Sequence, residues 1–337
     1  MKVSVIGGGI FGCTAAIYLA RDGHSVTLYE QDGGLLYGAS RVNQYRLHAG
    51  YHYPRSPETA IQSKFGLRSF TKEYESAIIT GDDHYYLIPN EGSKVSVQEY
   101  RDFMDSVSLG YEQIASVPWA ANDQISGIFK VNENSIDISE LRRLVYEKLN
   151  RSGVKVLTST QYEDQQTEVI VNATYSWINF VLPVDQRIDY QFEVCAKPIV
   201  SLPVGLRRLS AVVIDGDFGC IDPCGRTDLH VVGHVDHAVL KRIVGHFPPD
   251  LPINDIRCHR RICKKMCSDI GKYIPEVGRF KYNRTMYIVR TVLPNRDRDD
   301  ARPTYVTKHN DRLYSIFSGK IGTAVDASIE LCQMLGQ

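Results

Sequence analysis

The chain has 337 residues, 43% hydrophobic and 23% charged, and its 39 Lys+Arg balance its 39 Asp+Glu. This is the make-up of a globular protein with room for about two domains, and no global positive field attracts nucleic acid or an anionic membrane. Apolar runs fall short of the roughly 18 residues of a membrane span, and the glycine-broken N-terminus does not read as a secretory leader, so a cytoplasmic protein without a membrane span is expected.

The chain opens with "KVSVIGGGIFGCTAAIYLARDGHSVTLYE", which reads as a strand at Lys2–Ile6, a glycine turn, a helix from Ile10 to Asp22 and a strand at Ser25–Glu30. Gly7, Gly9 and Gly12 fit G-x-G-x-x-G. The first glycine permits the tight turn, the second lets backbone approach a pyrophosphate, and the third lets helix and strand pack closely. Free N–H groups at the helix start favour a phosphate, and Glu30 ends the second strand where a carboxylate accepts ribose hydroxyls. The turn points to a dinucleotide without separating NAD from FAD.

Downstream, "SPET" places Ser56 as a cap and Pro57 in the first turn of a helix, and "SVQE" from Ser96 to Glu99 is a capping box. "DISELRRLVYEKLNRSG" is an amphipathic helix with Leu141, Val145 and Leu149 on one face and Gly153 at its end. The strand "VKVLTS" follows, then "EVIVNATY", an apolar run expected of a strand covered on both faces. The centre changes character: "YQFEVCAKPIVSL", "SAVVIDGDF" and "DLHVVGHV" read as antiparallel strands, interrupted by a helix from Pro252 to Tyr273. The end reverts to strand "RLYSIFS", a Gly319–Gly322 turn and a helix carrying Val325, Ile329 and Leu331. The expected fold is α/β (α+β overall). A Rossmann-like nucleotide domain is assembled from residues 1–80, 137–185 and 285–337, and a mostly antiparallel substrate domain from 81–136 and 186–284.

No metal site is expected. Among the eight cysteines, "CIDPC" and "RCHRRICKKMC" lack paired C-x2-C knuckles, and Cys263 and Cys267 share a helix face as reduced thiols. His234, His237 and His246 have no carboxylate grouped with them on one helix and read as ordinary residues.

Four later segments carry a family resemblance. "VIVNATYSWIN" resembles the V-V-N-A-x-G-x-W segment of FAD enzymes in the D-amino-acid oxidase-like superfamily, with Asn172, Ala173 and Trp177 matching and Tyr175 in place of Gly. "YIVRTVLPNRD" resembles that superfamily's G-x-R-P-x-x-P-D turn, matching at Arg290 and Pro294, with Ile288 for Gly and Thr291 for Pro. "NQYRLHAGYHY" is similar to a stretch of L-2-hydroxyglutarate dehydrogenases at Asn43, His48, Gly50 and Tyr53. "SGKIGTA" resembles the turn before the C-terminal helix that closes over the flavin.

The resemblance implies an FAD-dependent oxidoreductase that takes hydride from a CH–OH or CH–NH carbon beside a carboxylate and places it on flavin N5. A sugar or nucleotide-sugar substrate, an inactive flavin-binding scaffold and, more weakly, an NAD-dependent dehydrogenase are the alternatives. Gly7, Gly9, Gly12, Glu30, Asn43, Ala173, Gly319, Lys320 and Gly322 would hold FAD, with the last turn and Lys320 answering charge at N1 and C2=O. Arg290 would anchor the carboxylate of a small anionic substrate through its planar fork of donors. His48 carries three readings: a base for the substrate proton, a covalent flavin anchor, or a packing residue. His52, Tyr51 and Tyr53 would line the same pocket. Arg46 and Arg55 read as solvated, with contact to FAD phosphates or an anionic substrate as the alternative, and Arg296 and Arg298 read as solvated. The electron acceptor stays open among oxygen, a quinone and a protein.

Overall fold

A computed structural model describes every residue except 165, 252–257, 296–300 and 337. Arg296, Arg298 and the expected start of the helix at Pro252 therefore lie outside the described residues. In chain order the main elements begin with β1 (Lys2–Ile6), α1 (Ile10–Arg21), β2 (Ser25–Tyr29), α2 (Pro57–Glu73), β3 (Asp83–Pro89), α3 (Val97–Ser106), β4 (Tyr111–Ile114) and β5 (Ile125–Val131). Next come α4 (Ile138–Arg151), β6 (Lys155–Leu157), β7 (Val169–Asn172), β8 (Tyr190–Ser201), β9 (Leu209–Val213), β10 (Gly219–Pro223), β11 (Leu229–His234) and β12 (Val239–Gly245). The chain ends with α5 (Cys258–Ile270), β13 (Lys281–Val292), β14 (Tyr305–Lys308), β15 (Leu313–Phe317) and α6 (Ala324–Leu335).

Beside a small three-stranded sheet, two large sheets follow from two hydrophobic patterns. The smaller has the order β14-β15-β7-β1-β2-β6, parallel except at the β14 edge. Its central β1 and β7 are apolar runs because both faces are buried, with Ile6 and Ile170 packed against Tyr162, Leu182 and Leu313 on the face away from the long helices. Val3, Val5, Val169 and Val171 share one core with Ile17 and Leu19 of α1, Leu141, Val145 and Leu149 of α4, and Val325 and Leu331 of α6. Ile329 of α6 is exposed instead.

The larger sheet has the order β12-β8-β11-β10-β9-β3-β5-β4, with β13 also paired to β8. It is antiparallel except where β9 runs parallel to β3. Alternation along β3 sends Tyr85 and Leu87 to one face, packed with Met266 and Ile270 of α5. Tyr86 and Ile88 go to the other, packed with Tyr100, Phe103 and Met104 of α3. Strand β13 pairs with β8 from Lys281 to Val292, so a boundary at residue 285 cuts through one strand of this sheet.

The local signals vary in outcome. The Ser96–Glu99 capping box closes in both directions, at 3.2 and 2.7 Å. Pro57 does open α2, but the Ser56 hydroxyl meets Thr59 Oγ1 rather than a backbone N–H.

Candidate active site

The glycine turn sits between β1 and α1 with the geometry a phosphate cradle requires. Gly7 has φ of +106°, and a Cβ there would lie 2.6 Å from the Ala173 carbonyl oxygen. A Cβ on Gly12 would lie 1.9 Å from the Gly7 carbonyl oxygen, so only glycine allows α1 to close on the strand. Gly9 differs: its nearest obstacle would be Ser40 Oγ at 3.4 Å, which leaves its backbone open on that side. Glu30 follows β2 and accepts from the Gly8 and Asp32 amides at 2.6 and 2.8 Å. Sequence reading missed Ser40, whose hydroxyl accepts from Ile10 N–H at 2.9 Å and so faces the start of α1 from 30 residues away.

The chain's last helix lies beside its first. Helix α6 packs on α1 and α2. The Ile321–Thr323 turn before α6 presses on α2 closely enough that a Cβ on Gly66 would meet the Gly322 carbonyl oxygen at 2.8 Å. A Cβ on Gly319 would meet the Arg302 carbonyl oxygen at 2.0 Å.

A cleft next to this turn is lined by Tyr175, Arg290, Arg302, Gly319 and Lys320 among others. Arg290 projects from β13 and places Nε and Nη2 2.7 and 2.5 Å from Glu193 Oε2 on the neighbouring β8. Burial pushes the Glu193 carboxyl up, but Arg290 and Arg302 outweigh it and hold the group below its ordinary value. Tyr175 stands where the resembling enzymes carry Gly, and its φ of +54° shows why Gly suits that position. Its hydroxyl accepts from the Thr291 N–H at 3.0 Å, a bond that proline at 291 could not donate. The two departures from the superfamily pattern thus compensate each other.

Lys320 joins this cleft to a histidine cluster. Its Nζ lies 4.7 Å from the Tyr53 ring centre, and burial lowers its pKa to about 8. His48 lies 6.1 Å from Tyr53 and 5.4 Å from His52, ring centre to ring centre. Burial and then the Lys320 ammonium hold the His48 pKa well below the ordinary histidine value, so the ring is neutral at pH 7. Its Nδ1 is 3.8 Å from Glu133 Oε1.

Glu133 belongs to a buried ionic network that sequence reading missed. It accepts from the Ala49 amide, Arg46 Nη1 and the Tyr86 hydroxyl at 2.7, 3.1 and 3.0 Å. Arg46 also binds Asp222 from Nε at 2.8 Å and contacts Ser210. The solvated reading of Arg46 is therefore wrong: two carboxylates far along the chain match its charge inside the protein. Arg55 is likewise ion-paired, to Asp215.

Other expected residues have different surroundings. Asn43 uses its side chain within its own loop, donating to the Ser40 carbonyl at 2.8 Å and accepting from Tyr45 N–H at 2.6 Å. Cys263 and Cys267 are free thiols with sulfurs 4.0 Å apart. His246 faces Asp189. His234 and His237, read as ordinary, are instead joined by Asp269, a carboxylate that spacing along one helix could not reveal.

Residues 2–305 match the DAO family, described as FAD dependent oxidoreductase. The chain belongs to this family. It is an FAD-dependent oxidoreductase, and the Gly7–Gly12 turn with open backbone at Gly9 fits the cofactor's pyrophosphate. The chain is 27% identical to the FAD-dependent monooxygenase kojA of Aspergillus flavus, covering 99% of this chain and 86% of that one. It is 26% identical to the FAD-dependent monooxygenase FPY4 of Fusarium mangiferae, covering 96% and 88%. Glycine oxidase from Geobacillus kaustophilus shares the fold at a TM-score of 0.78 and 12% identity, covering 99% of this chain and 95% of that one. So does the FAD-bound L-alpha-glycerophosphate oxidase from Mycoplasma pneumoniae, at 0.78 and 14%, covering 100% and 94%. Among the described residues no helix is long and apolar enough to cross a membrane.

Proposed function

We propose that this flavoenzyme oxidises a CH–OH, or CH–NH, carbon bonded to a carboxylate. One observation carries the reading: a cleft walled by Arg290, Arg302 and Lys320 adjoins a neutral, largely buried His48. Anion binding and proton removal are the two tasks such a substrate sets. When bound, FAD supplies the acceptor for the substrate's hydride.

The protein's residues do the rest. Arg290, held in place by Glu193, binds the carboxylate with charge-assisted hydrogen bonds, and Lys320 adds a point charge. His48 takes the hydroxyl or amine proton on Nε2, the nitrogen away from Glu133, and the Glu133 carboxylate stabilises the imidazolium that forms. Tyr175 walls the cleft, limits water and aligns the reacting carbon, and Tyr53 packs between Lys320 and His48. Glycine and glycerophosphate, in the names of the two oxidases, each carry an anionic group, a carboxylate or a phosphate, which supports an anion site here. The fungal relatives' name, monooxygenase, makes dioxygen the first electron acceptor to try.

The test is anaerobic mixing of the yellow protein with 2-hydroxy acids, amino acids, glycerophosphate and neutral alcohols, following the flavin band near about 450 nm. Bleaching by a carboxylate substrate is expected. Bleaching by neutral alcohols alone, or by dithionite alone, would overturn the reading.

A further inference from the structure

The larger sheet carries a second cluster of chemically competent side chains on the face opposite His48. Val232 of β11 packs into the core beneath α5, so His234, two residues on, projects to that same face. Tyr51 and Tyr53, flanking His52, belong to the core on the other face. His237 lies in the turn between β11 and β12, and Asp269 lies near the end of α5.

The three side chains meet at Asp269 Oδ2. Asp269 Oδ2 is 2.7 Å from His237 Nε2 and 3.9 Å from His234 Nε2, and the two imidazoles stack with centres 4.2 Å apart. All three candidate donor atoms lie within 4.8 Å of one another. Tetrahedral zinc with bonds of about 2.0–2.2 Å sets its donor atoms about 3.4 Å apart, a spacing the two observed distances bracket. The outer partners are also in place. Asp236 Oδ2 is 2.9 Å from His237 Nδ1 and can hold the proton there once a metal ion displaces the Nε2–H that now donates to Asp269 Oδ2. Lys272 holds Asp269 Oδ1 at 3.1 Å and leaves Oδ2 directed at the imidazoles. His234 Nδ1 accepts from the His237 amide across 3.3 Å, a long contact that the ring gives up when Nε2 ligates.

From this geometry we infer that His234, His237 and Asp269 form a binding site for one divalent transition-metal ion, zinc by the chemistry of its two imidazoles and one carboxylate. The three protein ligands leave the fourth position to water, and the ion's role is to brace the fold. It ties the β11–β12 turn to α5 and so clamps the helix over the core formed by Cys263, Met266, Cys267 and Ile270. The inference is independent of the substrate reading.

The experiment uses the untagged, flavin-loaded full chain, dialysed against zinc at low concentration and then against metal-free buffer, with zinc counted by mass spectrometry. About one equivalent per chain is expected, with a rise in Tm of about 3–5 °C at a zinc concentration near 100 times Kd. Asp269→Asn and His237→Gln should each lose the zinc and the Tm rise while keeping the wild-type circular dichroism and flavin content. Cobalt in place of zinc should give d–d absorption in the wild type and none in either variant. A Cys263→Ser/Cys267→Ser variant should keep its zinc. The proposal is overturned if no stoichiometric zinc is retained, if Asp269→Asn and His237→Gln bind it as the wild type does, or if only the cysteine variant loses it.

Discussion

Glu193 Oε2 receives both Nε and Nη2 of Arg290, at 2.7 and 2.5 Å, across neighbouring strands β8 and β13. Its other oxygen receives Gln191 and Arg242, at 2.9 and 3.1 Å. A cation held this way does not swing with its long side chain, so the guanidinium stands preorganised on the cleft wall. Lysine cannot reproduce a planar fork fixed along one edge. We expect Arg290→Lys to raise KM for an anionic substrate by about 10–100-fold, the worth of one or two charge-assisted hydrogen bonds, with a much smaller effect on a neutral analogue. Steady-state kinetics on a matched acid and alcohol checks this, and equal effects on both would refute the anchor.

The two cationic and basic groups set opposite limits of the pH profile. On the proposed function the neutral His48 is the base, and its depressed pKa keeps it deprotonated well below pH 6.5. Lys320 is charged below about pH 8 and loses that charge above it. The ratio kcat/KM for an anion should therefore be flat from about pH 6.5 to 8 and fall at higher pH, with the fall carried by KM. Lys320→Arg should carry the alkaline limb upward, since arginine stays charged. An unchanged limb in that variant would assign the titration to another group.

Arg46 should matter more for folding than for turnover. Replacing it with methionine leaves Glu133 and Asp222 buried without their shared cation, a change expected to cost about 3–5 kcal/mol. Denaturant midpoints measure it. Adding Glu133→Gln and Asp222→Asn to Arg46→Met should restore part of the loss, because no ionised group then stays buried and unmatched. A loss under about 1 kcal/mol for Arg46→Met would mean water reaches the site.

The cradle makes a steric prediction that separates two glycines. Gly9→Ala should fold normally yet weaken FAD binding by roughly ten-fold or more, because the added methyl fills the side on which phosphate must approach. Gly12→Ala forces a Cβ to 1.9 Å from the Gly7 carbonyl oxygen and should cost stability as well as flavin. Retention of a full complement of flavin by Gly9→Ala, read from the visible spectrum, would remove that glycine from the cradle.

The readable parts of this protein were the local ones. The β1–α1–β2 unit, the Ser96–Glu99 box and the buried face of α4 follow from spacing within one or two turns of chain, and each appears as expected. Partners joined across the sheet were not readable. Arg46 meets Glu133 and Asp222 from 87 and 176 residues away, and nothing near residue 46 signals that its charge is matched inside. Asp269 likewise reaches His237 from 32 residues downstream. Tyr175 and Thr291 lie between these extremes. Each looks like a simple loss of the superfamily residue, and only the hydrogen bond between them shows a paired exchange.

Lys320 belongs at once to the cleft wall and to the surroundings of His48, and that double membership couples two equilibria. An anion seated against the ammonium offsets one of the charges that depress the imidazole's proton affinity. Occupancy therefore strengthens the base, and by reciprocity a protonated imidazole tightens the hold on the anion. On the proposed function, the unliganded protein keeps a feeble proton acceptor, and the seated anion is what sharpens it.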